Sequence, residues 1–307
     1  MKDFILPFLI DPVSKSKLVF DESENKLVAL NGGVIENEYE VRNNVPLILP
    51  KVNGAAHGNL LGNAFDYVAH YEEDANAFNY FVDPDDPATR HENRRLHEAI
   101  LSAFRTDSET VLDVGCGGGW IANALLPLGK RVISFDVAFG NVEKVSQKHK
   151  AENHFGVVGD VLNLPFADGS LDAVVSAEVI EHVLDTKAFV ENLVRVLKPG
   201  GRAIISTPYK EKIQSSLCIH CNNLTPHNAH LRSFDEHSLS GYLEPMAGIA
   251  SSHVILSNKA LLYLQTHRLL GWLPYRAWRW VDKMADAVVN KPSRIIYIID
   301  KAHTSQR

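Results

Sequence analysis

The stretch Val111-Leu-Asp-Val-Gly-Cys-Gly-Gly-Gly-Trp120 constrains this chain more than any other. An apolar run closes on an acid, turns through Gly115, Gly117, Gly118 and Gly119, and enters a helical pattern. The pattern predicts a buried parallel strand, a tight turn and a helix. Glycine permits positive φ there and a close approach of backbone to a ligand. Glycine-rich turns occur in several cofactor folds, so the neighbours decide. A second apolar run, 131–135, ends in Asp136, and a third, 154–158, ends in Gly159-Asp160. Strands are also expected at 173–177 and 203–207, the latter after a helix stop at Leu197-Lys-Pro-Gly-Gly201. The βα units therefore repeat about every 20–40 residues, the size of a βαβ crossover. This is an α/β chain with a doubly wound, Rossmann-like sheet, and an acid at the tip of a second strand sits over its ligand crevice.

Residues 107–257 resemble the class I S-adenosylmethionine (SAM)-dependent methyltransferases. Asp113-Val-Gly-Cys-Gly-Gly-Gly119 is similar to the first motif of that family. Leu164-Pro-Phe-Ala-Asp-Gly-Ser-Leu-Asp172 and Leu197-Lys-Pro-Gly-Gly201 are similar to later ones. The resemblance implies a seven-stranded sheet whose last strand is inserted antiparallel. It implies that Gly115 and Gly117 pass under the methionine moiety of SAM, that Asp113 holds its amino group, and that Asp136 binds the ribose. Asp160, Val161 and Leu162 would border the adenine, with Cys116, Val137, Ala177 and Glu178 completing the cofactor wall. A nicotinamide-binding domain is the competing reading. Its glycine fingerprint needs a Gly-x-x-Gly spacing that Gly-x-Gly-Gly-Gly lacks, and it has no use for the two later segments.

The chain has 307 residues, 45% of them hydrophobic, enough for one large domain with an appendage. Its net charge of −6 argues against a broad nucleic-acid-binding surface. Three cysteines are too few for a disulfide framework, and a reducing, cytoplasmic setting is expected. The apolar stretch Phe4–Ile10 is too short for a signal peptide or a membrane span. No oligomeric state is read from the sequence.

Residues 1–50 read as short strands with turns at Asp21–Asn25 and Asn31–Gly33. They resemble the small zinc-ribbon-like modules of the Trm112 type. Where that pattern has its first cysteine pair, this chain has Asp11-Pro-Val-Ser14, and no cysteine precedes Cys116. Zinc is not expected here, since a structural site wants four Cys or His ligands. Residues 51–105 form a linker, 51–64, and a helical lead-in. Within it, 88–104 carries an apolar stripe of Leu96, Ile100, Leu101 and Phe104, while Tyr67 and Tyr71 read first as half-buried packing and, as the alternative, as side chains that reach the ligand.

The methyltransferase domain proper is 106–307. Inside it, Glu178-Val-Ile-Glu-His182 sets three acid–base groups at helical i, i+3, i+4 spacing if the segment is a helix. With the later His227-Asn-Ala-His230, this resembles two methyltransferase groups. One is the ubiquinone-pathway O-methyltransferases; the other is the small-RNA 2′-O-methyltransferases with a Glu/His metal site. The resemblance implies Glu178, Glu181, His182 and His230 as ligands of Mg²⁺, Mn²⁺ or Fe²⁺, which oxygen and imidazole donors suit. The alternative has no metal, the Glu lying near SAM and the His facing substrate. Glu181 and His182 are the candidate catalytic residues, as base or through the ion. Cys218-Ile-His-Cys221 with His227 is a rival zinc site.

Residues 234–243 read as a helix, 249–256 and 294–299 as strands, and 258–292 as a helical insertion with three of the four tryptophans. The insertion is expected to be a lid on the sheet, or an apolar acceptor site or peripheral membrane contact. Together these features point to a SAM-dependent methyltransferase acting on a small-molecule or lipid-linked acceptor, at oxygen. A glycan acceptor, an RNA 2′-hydroxyl and a non-catalytic scaffold are the other readings, with nucleic acid disfavoured by charge.

Overall fold

The computed structural model of the chain describes residues 4–50, 59–60, 63–64, 66–219 and 222–303. Four strands come first: β1 (Leu18–Asp21), β2 (Lys26–Asn31), β3 (Val34–Arg42) and β4 (Val45–Ile48). They form an antiparallel meander that buries Leu18, Leu27, Tyr39 and Val41. Its last turn is Asn43-Asn44, with φ of 50° and 65°, the paired positive values that a two-residue hairpin turn requires. Asp11 is fully buried in the loop before β1. Its carboxylate accepts from the Val13 N–H at 2.7 Å, the Asn37 amide at 2.6 Å and the Tyr39 hydroxyl at 3.1 Å. Hydrogen bonds thus tie that loop to β3.

The linker expected at 51–64 falls largely outside the described residues; within it β5 (Asn59–Leu60) pairs with β6 (Asn63–Ala64). Helices α1 (Tyr67–Ala77) and α2 (Pro87–Ala103) follow. Each starts on an aspartate cap: Asp66 accepts from the Ala69 N–H at 3.0 Å, and Asp86 from the Thr89 N–H at 2.9 Å, with Pro87 in the first turn. α2 buries Leu96, Ala99, Ile100 and Ala103, one stripe of a 3.6-residue period.

The alternating part comprises β7 (Thr110–Val114), α3 (Trp120–Leu125), β8 (Arg131–Asp136), α4 (Phe139–Lys148), β9 (His154–Gly159), β10 (Leu171–Ala177), α5 (Thr186–Val196) and β11 (Leu197–Pro208). A small hairpin, β12 (Ser215–Leu217) and β13 (Leu224–Pro226), precedes α6 (Ser240–Leu243) and β14 (Ile249–Asn258). The insertion holds α7 (Lys259–Tyr263), α8 (His267–Leu270) and α9 (Tyr275–Val288), and β15 (Pro292–Lys301) follows it. The sheet order is β1-β2-β3-β4-β9-β8-β7-β10-β11-β15-β14. β4 and β7–β11 run parallel, and β15 lies antiparallel between β11 and β14. This is the Rossmann-like methyltransferase fold, its seven core strands extended by the N-terminal meander. The chain leaves β7 toward β8 on one side and returns to β10 on the other. The crevice beyond the carboxyl ends of β7 and β10 is therefore the topological switch point.

Two local expectations fail. Only Ser240–Leu243 of the helix expected at 234–243 is helical. Phe234 bridges to Tyr209, and Asp235 accepts from the His237 N–H at 3.0 Å and the Ser238 hydroxyl at 2.9 Å. That side-chain turn competes with helix for the same backbone groups. Glu178 does not share a helical face with Glu181 and His182. Its φ is +57°, and only Ile180–His182 forms a single 3₁₀ turn.

Candidate active site

The glycine turn is latched onto the neighbouring strand. The N–H groups of Gly115 and Cys116 both donate to the Phe135 carbonyl, at 2.8 and 3.0 Å. Gly115 has φ +73°, and a side chain there would collide with Val179. At Gly118 it would collide with the Tyr80 carbonyl, so the lead-in between α1 and α2 lies directly over the turn. Asp136 organises the same corner: it accepts from the N–H groups of Gly117 (3.2 Å) and Ala138 (3.0 Å). Asp160 caps the following turn through the Leu162 N–H at 2.8 Å, and the Tyr67 hydroxyl bonds to it from α1. The cofactor residues expected from the sequence, Asp113 to Gly117, Asp136-Val137, Asp160 to Leu162 and Ala177-Glu178, all lie at the carboxyl edge of β7–β10.

Asp113 is buried and its Oδ2 has no hydrogen-bond partner among the described residues. Burial, with the charge of Asp136 behind it, pushes its pKa up to about 8. Burial also raises the Cys116 thiol. The Tyr71 hydroxyl from α1 is another buried polar atom without a partner among the described residues. Such groups are costly unless a ligand satisfies them.

Past β10 the acid–base groups gather. Glu181 is buried; its Oε2 accepts from the Thr207 hydroxyl at 2.9 Å, while Oε1 has no partner among the described residues. Burial first, then the Glu178 charge, raises its pKa well above the usual carboxylate range. His182 is driven down to about 4, by burial first and then by His230. His230 comes from the segment after β13, which is stapled to the 181–184 turn. The Leu231 N–H donates to the Glu181 carbonyl at 2.8 Å, and the Arg232 guanidinium donates to the carbonyls of Val183 (2.5 Å) and Leu184 (2.6 Å). Asn228 and Ala229 both take φ of 55°, a strained choice for alanine. One ligand atom each of Glu181, His182 and His230 lies within 4.8 Å of the others. The Nδ1 atoms are engaged elsewhere, by the Ala229 carbonyl (3.3 Å) and by Glu211 (2.5 Å).

Glu178 is not among these three. Its carboxylate accepts from the Ser206 hydroxyl at 3.0 Å and lies 3.1 Å from the Arg294 guanidinium. In the rival zinc set, Cys221 lies outside the described residues, and His227 pairs with the Ser216 hydroxyl at 2.8 Å.

Two participants escaped the sequence. Arg294 reaches Glu178 because its place on β15 is opposite Pro208, at the end of β11. Glu72 of α1 accepts from the Phe139 N–H at 2.7 Å and the Gly140 N–H at 3.3 Å, capping α4 from outside. Neither residue carries a local signal, since both act through tertiary register.

Residues 112–205 match the family described as the methyltransferase domain. That match runs from β7 into β11. Over 118 residues the chain is 36% identical to a Mycolicibacterium smegmatis protein named a probable S-adenosylmethionine-dependent methyltransferase, covering 37% of this chain and 44% of that one. Over 125 residues it is 37% identical to a ubiquinone biosynthesis O-methyltransferase of Rickettsia akari, covering 40% and 46%. The chain spans less than half the length of these curated relatives. A solved Listeria monocytogenes chain assigned to the S-adenosylmethionine-dependent methyltransferases shares the fold, with TM-score 0.50, 14% identity and coverage of 69% of this chain and 100% of that one.

The residues fit SAM on their own chemistry. A buried carboxylate oxygen without a donor suits the ammonium of an amino acid moiety, and it faces a turn that only glycine can make.

Proposed function

We propose that this chain transfers the methyl group of SAM to a hydroxyl oxygen of a small-molecule or lipid-linked acceptor. The observation that carries this reading is the convergence of Glu181, His182 and His230 at the switch point, one strand from the glycine turn. When bound, SAM supplies an electrophilic methyl on a sulfonium sulfur. Asp113 would hold its amino group, Asp136 the ribose, and Asp160 with Val161 and Leu162 the adenine edge. His182 is neutral near pH 7, and its Nδ1 is tied to the Ala229 carbonyl. Its Nε2 is then the atom that takes the proton of the acceptor hydroxyl. Segment 227–232 forms one wall of the acceptor side, and the lead-in over the turn limits water. Relatives named as O-methyltransferases support oxygen as the nucleophile.

A specific observation favours a second reading of the same cluster, a divalent ion held by Glu181, His182 and His230. Each imidazole engages a carbonyl or carboxylate through Nδ1, the pattern that orients histidine ligands, and Glu181 Oε1 lacks a partner. Mg²⁺, Mn²⁺ or Fe²⁺ suits this donor set, and would orient the acceptor hydroxyl and lower its pKa.

Methyl transfer from labelled SAM to catechol-type and glycan hydroxyls tests both readings, with and without chelator. His182→Ala should lose about 100-fold or more in rate while S-adenosylhomocysteine binding persists. Unchanged transfer would remove His182 from the chemistry. Insensitivity to chelator would leave it as the base, without an ion.

A further inference from the structure

The segment between β14 and β15 carries an apolar face that no described element covers. α9 is apolar on two sides. Its inner side buries Trp278 beneath the Arg95 guanidinium, 5.0 Å from the ring centre, and buries Asp282. Its outer side aligns Trp280, Met284 and Val288 at i, i+4 and i+8, with 65%, 49% and 82% of their surface exposed. Tyr263, Leu269 and Trp272 add exposed apolar surface from α7, α8 and the turn after them. A helix that merely faces water carries charge on that stripe, and contiguous exposed apolar surface marks an interaction site.

The charges around it have one sign. Residues 259–291 hold six lysines and arginines against two aspartates, in a chain of net charge −6. Both aspartates are occupied. Asp282 accepts from the Arg279 guanidinium at 2.7 Å and the Asn258 N–H at 2.8 Å, and Asp286 from the Asn258 amide at 2.6 Å. Lys259, Arg268, Arg276, Lys283 and Lys291 are exposed and make no ion pair among the described residues. On α9, Arg276 heads the Trp280 stripe one turn before it, and Lys283 stands beside Met284. Tryptophan beside cations is the composition of an interfacial helix, with rings at the headgroup level and ammonium or guanidinium groups on phosphates. None of these helices is long and apolar enough to cross a membrane. Both ends of the segment meet the sheet at the carboxyl edge of the parallel strands.

We infer that this face, built on Trp272, Trp280, Met284, Val288, Arg276 and Lys283, docks the protein on an anionic lipid surface. The inference does not rest on methyl transfer, because binding to a bilayer is measured without turnover.

Co-flotation of the full chain with vesicles of phosphatidylcholine alone, and of phosphatidylcholine mixed with phosphatidylglycerol, tests it. Partition into the mixed vesicles should be about tenfold stronger or more, shift tryptophan emission to the blue, and weaken as salt rises. Trp280→Ser with Met284→Ser should lower partition about tenfold. Arg276→Glu with Lys283→Glu, a second pair of exposed sites, should abolish the preference for the anionic vesicles. Equal partition into both vesicle types, or none into either, overturns the proposal. So does a dimer in lipid-free solution that Trp280→Ser dissociates, since a second copy would then cover the face.

Discussion

Asp113 and Asp11 are two buried aspartates with opposite consequences. Asp113 has an oxygen without a partner, and burial followed by the Asp136 charge lifts its pKa to about 8. Between about pH 4 and pH 8 the folded chain then holds a proton that the unfolded chain has lost, so this group's contribution to stability falls as pH rises through that window. A cationic ligand group reverses the preference, and its binding should expel the proton. Burial alone would raise the Asp11 carboxyl as well. Hydrogen bonds from Val13, Asn37, Ser14 and Tyr39 outweigh it and bring the pKa below the usual value. Its stabilisation is therefore present above pH ~4 and is lost as pH falls through the depressed folded value. Asp11→Ala should cost about 3 kcal/mol at pH 7, because it strands the Asn37 amide and loop N–H groups. Urea melts at pH 7 and pH 3 should show that deficit shrinking in acid; a deficit independent of pH would contradict the role.

At the level of elements, the lead-in helices and the 227–232 segment complete the site, and both do so through contacts between distant residues. Glu72 links α1 to the N-terminus of α4, where N–H groups and the helix dipole favour an anion. Glu72→Gln keeps the shape and removes the charge, so it should cost about 1 kcal/mol and raise amide exchange in α1. Unaltered exchange in α1 would mean that other contacts hold it. The same distinction explains what the sequence could show. Strands β7 to β11 were legible because each is an apolar run bounded by turn chemistry. Helix α2 was legible from its periodic apolar stripe, and the Asp86 cap that starts it was not read. The helix expected at 234–243 was not, because Asp235 and Ser238 satisfy one another in a turn. Glu181, His182 and His230 were readable as candidate ligands. That Glu178 departs from them follows from a positive φ and from Arg294 across the sheet, which local spacing does not encode.

Over the whole molecule, one sheet carries everything: the N-terminal meander joins it through β4 and β9, and the insertion hangs from β14 and β15. Lead-in histidines are packed onto this frame. His97 stacks on Trp120 with ring centres 3.8 Å apart, and burial lowers both His97 and His91 to about 4. In each case the unfolded chain takes a proton near pH 6.5 that the folded chain refuses until about pH 4. Stability should therefore decline as pH falls through that interval. Urea midpoints measured from pH 7 to pH 4.5 should fall less steeply for His97→Gln than for the parent chain. Parallel slopes would show that His97 titrates normally in the fold. The central claim is tested most directly by calorimetric titration of S-adenosylhomocysteine into the full chain at pH 7, in two buffers of different ionisation enthalpy. Saturable one-to-one binding with release of about one proton, both lost in Asp113→Asn, is the expected result. Absence of binding by the parent chain, or equal binding by a folded Asp113→Asn variant, would contradict the assignment of Asp113 and the glycine turn as the cofactor site.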